Sequence, residues 1–353
     1  MKILVTGGAG FVGSALCLRL KQKYPDYSII AFDNLKRRGS ELNLTDFKEY
    51  GISFIHGDIR NMEDFDEVGP VDVLIEASAE PSVMAGLDSN PYYVINNNLI
   101  GSVNCFNYCL KYKAKIVFLS TSRVYPIDRI ENAAFVEQPT RFSFSEVQSE
   151  AGISARGISE ELNLSGPRSF YGTTKLSSEL LIQEYIEFYG LKAAITRFGV
   201  IAGPRQMGKT DQGVVTLWMA KHYWKQPLKY IGYGGLGKQV RDMLHIDDLI
   251  DLIDRQIHDI DKFNGIIYNA GGGLDVSASL LEMTEICEEI TGNSISIGRE
   301  LETRPADLRI YVSDNTKIES EIDWRPKRDV KTIFSDIYNW IRDNESQLER
   351  ILK

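Results

Sequence analysis

Short apolar runs alternate with longer amphipathic segments through the first half of the chain. The runs at 2–6, 28–33, 52–56, 71–77 and 114–122 predict strands, and the segments at 14–23 and 91–113 predict helices. Fully apolar strands that alternate with helices are typical of a parallel sheet covered on both faces. The pattern therefore predicts an α/β fold, a Rossmann-type doubly wound parallel sheet.

The alternation stops at residues 126–168, which are polar, contain glycines and prolines and show no period, so we interpret them as a long insertion. A helix at 171–189 and a strand at 192–198 then continue the pattern. Beyond residue 203, helical stretches at 213–225, 247–260, 277–291 and 330–350 mix with strands near 228–231, 239–245 and 266–270. We predict a Rossmann domain over 1–202 and a smaller α+β substrate lobe over 203–353, with the last helix packed on the body.

Composition narrows the classes of function. The chain is 43% hydrophobic and 25% charged, as in ordinary globular proteins, and its net charge of −9 argues against nucleic acid as a partner. No run approaches the roughly 18 apolar residues of a membrane helix, and the segment MKILVTGG lacks the apolar core of a signal peptide. We expect a cytoplasmic protein without a membrane partner.

Cysteine usage argues against a metal site. The four cysteines are Cys17, Cys105, Cys109 and Cys287, and no spacing among them completes a zinc-binding set. We expect buried thiols in a reducing compartment and no bound metal.

A glycine-rich turn, GGAGFVG at 7–13, follows the first predicted strand and opens the first predicted helix. Glycines let the backbone approach a phosphate closely, and the start of a helix stabilises its charge. Asp33 ends the second strand 20 residues after Gly13, where a carboxylate binds the adenosine ribose and disfavours a 2′-phosphate. The turn therefore predicts an NAD site. The residues expected to contact NAD here are Gly7, Gly10, Phe11, Val12, Gly13 and Asp33.

The segment YGTTK at 171–175 puts a phenol and an ammonium four residues apart, on one face of a helix. A nearby cation favours the tyrosinate, so Tyr171 beside Lys175 can remove a hydroxyl proton while a hydride leaves carbon. Thr121 or Ser122 ends an apolar strand at the sheet edge where ligands bind, and can hydrogen-bond the reacting oxygen.

In this order GGAGFVG, STSRVY and YGTTK resemble the motifs of the extended short-chain dehydrogenases that act on nucleotide-sugars. Within that group, the segments FDNLKRRGSELNL, HGDIR, TDQGVV and GKQVRDMLH are similar to those of the CDP-paratose 2-epimerases, also called tyvelose epimerases. The resemblance covers nearly the whole chain. It implies an NAD-dependent nucleotide-sugar epimerase that forms a homodimer or homotetramer through helices 92–113 and 171–189.

The resemblance also implies roles for individual residues. Thr121, Tyr171 and Lys175 fall on the catalytic residues, Asp58 and Ile59 on adenine-side contacts, and Asn98 on the helix behind the cofactor. We further assign Asn34, Ala77 and Ala79 to the NAD site, and expect Tyr171 and Lys175 to contact NAD as well. On the substrate side, Arg241 matches the arginine of the family's RD motif, which binds the diphosphate, and Arg304 and Asp307 match a second arginine and a ribose-contacting acid. The other expected substrate contacts are Ser122, Arg123, Lys209, Gln212 and Gln239.

Two departures from related families narrow the chemistry. The 4,6-dehydratases carry Asp-Glu after the catalytic threonine, whereas this chain has Ser122 and Arg123, and an arginine cannot serve as the eliminating base. Many 4-epimerases have a bulky residue and an asparagine where this chain has Gly199 and Val200. The interpretation is a 2-epimerase acting on a CDP-linked deoxyhexose. A UDP-sugar 4-epimerase and a non-catalytic NAD-binding scaffold are the alternatives.

A second phosphate-binding pattern competes with this interpretation. The segment GPRQMGKT at 203–210 matches the P-loop pattern, with a strand before it and a helix after it, which would imply phosphoryl transfer from Mg-ATP. It follows the sixth strand, however, while a complete dinucleotide site occupies the first. We therefore place Lys209 near the substrate, and expect Lys238, Arg241 and Arg304 to supply the local positive charge that an anionic substrate needs.

Overall fold

The computed structural model describes residues 1–87, 89–208 and 212–353. The strands are β1 (Lys2–Thr6), β2 (Ser28–Asp33), β3 (Ser53–His56), β4 (Val73–Glu76), β5 (Lys115–Thr121), β6 (Phe135–Glu137), β7 (Phe142–Phe144), β8 (Ile153–Ser154), β9 (Gly157–Ile158), β10 (Ala193–Phe198), β11 (Val200–Ala202), β12 (Leu228–Ile231), β13 (Val240–His245), β14 (Ile267–Ala270), β15 (Ser277–Ser279), β16 (Ile297–Glu300) and β17 (Ile310–Tyr311). The helices are α1 (Phe11–Lys23), α2 (Asn43–Tyr50), α3 (Tyr92–Ile95), α4 (Gly101–Tyr112), α5 (Ile127–Glu131), α6 (Phe170–Tyr189), α7 (Val214–Tyr223), α8 (Ile246–His258), α9 (Ile260–Phe263), α10 (Leu280–Thr291), α11 (Thr316–Ile322), α12 (Val330–Asp343) and α13 (Glu345–Leu352).

These elements form two compact units that do not follow chain order. Unit 1 contains Met1–Thr121, Phe170–Arg197 and Leu249–Ile267, and unit 2 contains Ser122–Ser169, Phe198–Asp248 and Tyr268–Lys353. The predicted division at residue 202 therefore differs from these units in three places. Unit 2 includes the insertion at 126–168 and residues 198–202, and unit 1 includes residues 249–267.

Unit 1 is built on the predicted parallel sheet, whose strand order is β3-β2-β1-β4-β5-β10-β14, with β14 starting at the last residue of the unit. The order reverses beside β1, as in doubly wound nucleotide-binding sheets, so the predicted fold class is confirmed. Side chains from both sheet faces are buried along β1, β4 and β5. Aromatic stacking supports the core, where the rings of Phe32 and Phe65 lie 4.9 Å apart.

Unit 2 is organised around β13, which pairs with β11 and β17 in parallel and with β15 in antiparallel fashion. Helix α12 packs on α7 and α10 through an apolar stripe with helical spacing: Ile333, Phe334, Ile337 and Ile341 are all fully buried. The predicted final helix at 330–350 is divided at Asn344, whose backbone is not helical and whose amide donates to the Trp340 carbonyl.

The insertion at 126–168 is ordered rather than a simple loop. It contains α5 and two short hairpins, β6–β7 and β8–β9. Arg141 forks onto the carboxylate of Glu282, with its closest oxygen at 2.5 Å, and the amide of Phe142 donates to the Lys238 carbonyl. These contacts reach about 100 to 140 residues ahead along the chain and explain why the insertion belongs to unit 2.

Two other predicted elements also differ from the structure. The predicted helix at 91–113 is interrupted by a π-helical turn at Asn96–Ile100. The predicted helix at 277–291 begins only at Leu280, because Ser279 and Glu282 form a capping box that ends strand β15 and starts α10. All four cysteines are buried free thiols. Within the described residues, no helix has both the length and the apolar character needed to cross a membrane.

Candidate functional site

The glycine-rich turn between β1 and α1 is shaped for close backbone approach. Gly7 has φ of +65°, and a Cβ there would lie 2.8 Å from the Ala77 carbonyl oxygen; a Cβ on Gly13 would lie 2.1 Å from the oxygen of Gly7. Only glycine fits either position. The first N–H groups of α1, at Phe11 and Val12, have no partner inside the helix and can bind an anion. The turn therefore fits the diphosphate of NAD.

Asp33, at the end of β2, is held beside this turn by backbone donors. Its Oδ2 accepts from the amide of Ala9 at 3.1 Å, and its Oδ1 accepts from the amide of Leu35 at 2.7 Å. Burial raises the pKa of the Asp33 carboxyl, and these backbone hydrogen bonds oppose the rise. The arrangement keeps a carboxylate within reach of a ligand at the glycine turn.

Replacing Asp33 with asparagine will weaken NAD binding by roughly 10- to 100-fold, because hydrogen bonds to a charged group contribute about 1.5–3 kcal/mol. It will also narrow the preference for NAD over NADP, since the charge that repels a 2′-phosphate is lost. Titration calorimetry on cofactor-free protein measures both affinities. The exposed Asp26 offers a matched control with the same change of charge and is expected to bind NAD normally. Unchanged NAD affinity in Asp33→Asn would show that this carboxylate does not bind the ribose.

The predicted adenine-side residues meet at the ends of β2 and β3. Asn34 donates to the Asp58 carboxylate at 2.9 Å, and Arg60 donates to both of its oxygens, at 2.9 and 2.5 Å. The Arg60 hydrogen bond lowers the pKa of Asp58 to about 2. Ile59, by contrast, is buried against α4. A Cβ added to Gly101 of that helix would lie 2.5 Å from Cδ1 of Ile59. The side chain of Ile59 therefore packs in the core.

Asn98 connects the loop after β4 to helix α6. Its side-chain oxygen accepts from the amide of Glu80 at 2.8 Å, and its amide donates to the Glu80 carbonyl and to the hydroxyl of Thr174. The loop carries the other two predicted cofactor residues, Ala77 and Ala79, and the amide of Ala77 donates to the Thr6 carbonyl. Asn98 thus holds this loop in position from behind.

The predicted catalytic residues all lie in unit 1. Thr121 ends β5, while Tyr171 and Lys175 occupy the first two turns of α6. Tyr171 is partly exposed, whereas Lys175 is 2% exposed. A partly exposed phenol with a buried ammonium one turn below it is an arrangement that can exchange a proton with a bound hydroxyl group.

Sequence reasoning missed the residue that binds this lysine. The Nζ of Lys175 donates to Oε2 of Glu76 at 3.0 Å, and Glu76, the last residue of β4, is fully buried. The sequence offered one hint: a carboxylate closes an otherwise apolar strand, VLIE, at a position expected to be buried.

A second buried ion pair lies one turn further along α6. Arg197 of β10 contacts both oxygens of Glu179, the shortest distance being 2.7 Å, and the two side chains are 3% and 1% exposed. Ser120, next to Thr121, donates to the same carboxylate. This network joins β5, α6 and β10 directly behind the catalytic residues.

The predicted substrate contacts lie in unit 2, where two of them bind each other. Arg241 donates to the Asp307 carboxylate at 2.7 Å and to the carbonyl of Val240. Arg123 reaches the same turn, because its guanidinium donates to the Ala306 carbonyl at 3.2 Å. Arg304 precedes this turn, and its carbonyl accepts from the amide of Asp307. Three predicted arginines therefore converge around residues 304–307.

Other predicted substrate residues have structural contacts of their own. The Gln239 amide donates to the carbonyl of Ile231, and Ser122 is 7% exposed. Lys238 pairs with Glu137 at 2.7 Å, so the insertion neutralises one of the three charges expected to bind the anion. Gln212 is partly buried at the start of the segment before α7. Lys209, and with it part of the P-loop pattern, lies outside the described residues.

The packing of unit 2 explains why position 199 is a glycine. A Cβ at this position would lie 2.9 Å from a carboxylate oxygen of Asp242, so a bulky residue there would displace that side chain. Asp242 is fully buried, and burial raises its pKa to about 6 while hydrogen bonds from Ser313 and Gly273 oppose the rise. The departure from the 4-epimerase pattern at 199 is therefore built into the packing of unit 2.

Known proteins resemble this chain in sequence and in fold. The sequence profile of the NAD dependent epimerase/dehydratase family matches residues 3–271. CDP-paratose 2-epimerase of Salmonella typhi is 31% identical over 348 residues, which cover 96% of this chain and 99% of that protein. UDP-glucuronic acid 4-epimerase from Bacillus cereus, solved with UDP-glucuronic acid and NAD, has a TM-score of 0.78 at 25% identity and covers 97% of this chain and 99% of its own. dTDP-glucose 4,6-dehydratase from Bacillus anthracis, in complex with NAD, has a TM-score of 0.76 at 26% identity, with 99% of both chains covered.

Proposed function

Because the chain belongs to the NAD-dependent epimerase/dehydratase family, we propose that it inverts carbon 2 of a CDP-linked deoxyhexose. Its general activity is that of an NAD-dependent enzyme of nucleotide-sugar metabolism. The choice of CDP and of carbon 2 is supported by the 31% identical relative, a CDP-paratose 2-epimerase whose similarity extends over nearly the whole chain.

The glycine turn and Asp33 would hold NAD, and the bound cofactor would supply first the acceptor and then the donor of a hydride. Tyr171 removes the proton of the hydroxyl at carbon 2 as hydride leaves that carbon, and Lys175 favours the tyrosinate. Thr121 hydrogen-bonds the reacting oxygen. Tyr171 would return the proton to the same oxygen as carbon 2 regains a hydride on the other face of the sugar. The cycle consumes no cofactor.

Arg123 is the residue that most favours epimerisation over dehydration. Elimination of water needs an acid and a base next to the catalytic threonine, and this chain has a serine and an arginine there. The Arg123 guanidinium donates to the Ala306 carbonyl, beside the Arg241–Asp307 pair. A fixed cation at this place suits binding of a diphosphate, and it cannot accept the proton that elimination requires.

A UDP-sugar 4-epimerase is the second candidate. It is supported by the similarity to UDP-glucuronic acid 4-epimerase, at 25% identity. The contact between Gly199 and Asp242 argues against it, because the bulky residue of many 4-epimerases does not fit there. A non-catalytic NAD-binding scaffold is a third candidate, and the paired Tyr171 and Lys175 argue against it.

A panel of CDP-, UDP- and dTDP-hexoses incubated with the protein in D₂O distinguishes these functions. We expect inversion at carbon 2 of a CDP-deoxyhexose, seen by proton NMR, with protium retained at that carbon because the hydride never exchanges with solvent. Added NAD is not consumed. Inversion at carbon 4 of a UDP-sugar would replace the proposal with the second candidate. Deuterium at carbon 2, or NADH accumulating with product, would rule out the transient-oxidation mechanism.

We also propose that the protein forms a homodimer or homotetramer through α4 and α6. Large apolar side chains on α6 support the proposal: Leu180, Phe188 and Tyr189 are 57%, 73% and 67% exposed. Exposed apolar side chains of this size on one helix are typical of an interface.

A further inference from the structure

We propose that Glu76 is a positioning residue for the proposed catalytic pair: its carboxylate supplies the counter-charge of Lys175 and holds that side chain in place inside unit 1. The inference rests on the proposed function only in assigning the proton transfer to Tyr171. It does not depend on which nucleotide-sugar is the substrate or which carbon is inverted. None of the motifs that indicate catalysis includes this residue.

The geometry of the pair supports this role. The Nζ of Lys175 lies 3.0 Å from Oε2 of Glu76, with the two side chains 2% and 0% exposed, and 4.4 Å from the centre of the Phe118 ring. An ammonium enclosed in this way has lost its water, and an opposite charge beside it compensates for that loss. Burial raises the pKa of Glu76, and Lys175 opposes the rise. Each group thus stabilises the charge of the other.

Glu76 occupies the centre of the sheet. As the last residue of β4, the middle strand, it is opposite Thr6 of β1 and Phe118 of β5. Within the part of the chain that the structure describes, its second oxygen, Oε1, has no hydrogen-bond partner. A buried carboxylate with one unsatisfied oxygen is costly, and an apolar residue would serve packing better. Its contact with Lys175 gives the carboxylate a role that stability alone does not explain.

The other titratable groups around Glu76 and Lys175 do not add an uncompensated charge next to the pair. The Cys105 thiol, from α4, interacts with both Glu76 and Lys175, and burial raises its pKa well above the ordinary value, so it stays neutral. Further along α6, Glu179 is compensated by Arg197 from β10. Tyr171 is the remaining titratable group on the same helix face. The charge next to Lys175 is therefore set by Glu76.

Removing the charge of Glu76 is expected to shift the pH profile of activity in one direction. The change Glu76→Gln keeps the size and an acceptor oxygen, so Lys175 stays in place, but its ammonium is no longer compensated. Loss of a negative charge beside Tyr171 and Lys175 favours the deprotonated form of any group that titrates there. The acidic and alkaline limbs of the activity profile are therefore both expected to move to lower pH.

The test is the pH profile of kcat with whichever nucleotide-sugar the wild-type protein epimerises. We expect the optimum of Glu76→Gln to fall by about 1 pH unit or more, while Glu76→Asp, which keeps the charge, retains the wild-type optimum at a lower kcat. Asp248→Asn is the matched control: it removes the buried carboxylate that pairs with Arg328 at 2.5 Å elsewhere in the chain, and should leave the optimum unchanged. A wild-type optimum in Glu76→Gln would overturn the proposal.

Two further measurements separate this proposal from the proposed function and from a folding defect. If Tyr171→Phe retains full activity, the proposed base is wrong, whatever Glu76 does. If Glu76→Gln does not fold, NMR of ¹⁵N-lysine-labelled wild-type protein still decides, with Lys175 assigned by its absence in Lys175→Met. We expect its Nζ signal to exchange with water far more slowly than the Nζ signals of exposed lysines, because the side chain is buried and ion-paired. Exchange as fast as that of exposed lysines would overturn the proposal.

Discussion

Replacing Tyr171 with phenylalanine will lower kcat by roughly 10²- to 10⁴-fold, the contribution expected of a positioned general acid–base group. The phenol ring stays, so the packing of α6 is kept and NAD should remain bound. Only the hydroxyl that accepts and returns the proton is lost. The measurement is the rate at which bound NAD is reduced, followed by absorbance after mixing with substrate, together with steady-state turnover by NMR.

The same change at Tyr185 serves as the control for this experiment. Tyr185 lies on the same helix, three to four turns after Tyr171, and its hydroxyl donates to the Asn107 side chain at 2.8 Å near the surface. Tyr185→Phe should therefore retain wild-type turnover. Equal losses in both variants would indicate a general defect of α6, and normal turnover in Tyr171→Phe would support a non-catalytic role for the pair.

Features set by neighbouring residues could be predicted from the sequence. The glycine turn at 7–13, the carboxylate at Asp33 and the spacing of Tyr171 and Lys175 each depend on one strand–helix junction or one helix turn. The parallel sheet followed from the apolar strands in the same way. These local patterns were sufficient for the fold class and for NAD as the cofactor.

Features set by distant residues could not be predicted. Lys175 meets Glu76 across 99 residues, and Arg241 meets Asp307 across 66. The insertion at 126–168 was interpreted as part of the first domain because it interrupts that domain in sequence. Its place in unit 2 depends on Arg141 binding Glu282, 141 residues away. Burial and long-range pairing decide such contacts, and neither leaves a periodic pattern.

The variant Arg197→Met will destabilise the protein by about 3–5 kcal/mol, because it leaves the Glu179 carboxylate buried without its counter-charge. Glu179 is 1% exposed, so water cannot replace the guanidinium that now contacts both of its oxygens. Ser120 would remain as its donor, and one neutral hydroxyl does not compensate a buried charge. The urea midpoint of unfolding, followed by circular dichroism at fixed NAD concentration, measures the loss.

The double variant Glu179→Met/Arg197→Met tests whether the cost comes from the uncompensated charge or from lost packing. When both charges are removed together, most of the stability should return, since apolar pairs of similar volume often replace buried ion pairs without loss. If the double variant is as unstable as Arg197→Met, packing around Arg197 is the cause instead.

Turnover of the double variant adds a second criterion. Ser120 precedes Thr121, and Glu179 lies two turns after Tyr171. Glu179 therefore connects, through Ser120, the strand that carries one proposed catalytic residue to the helix that carries the other two. A double variant that folds stably but has a reduced kcat would show that this ion pair is retained to align the catalytic groups.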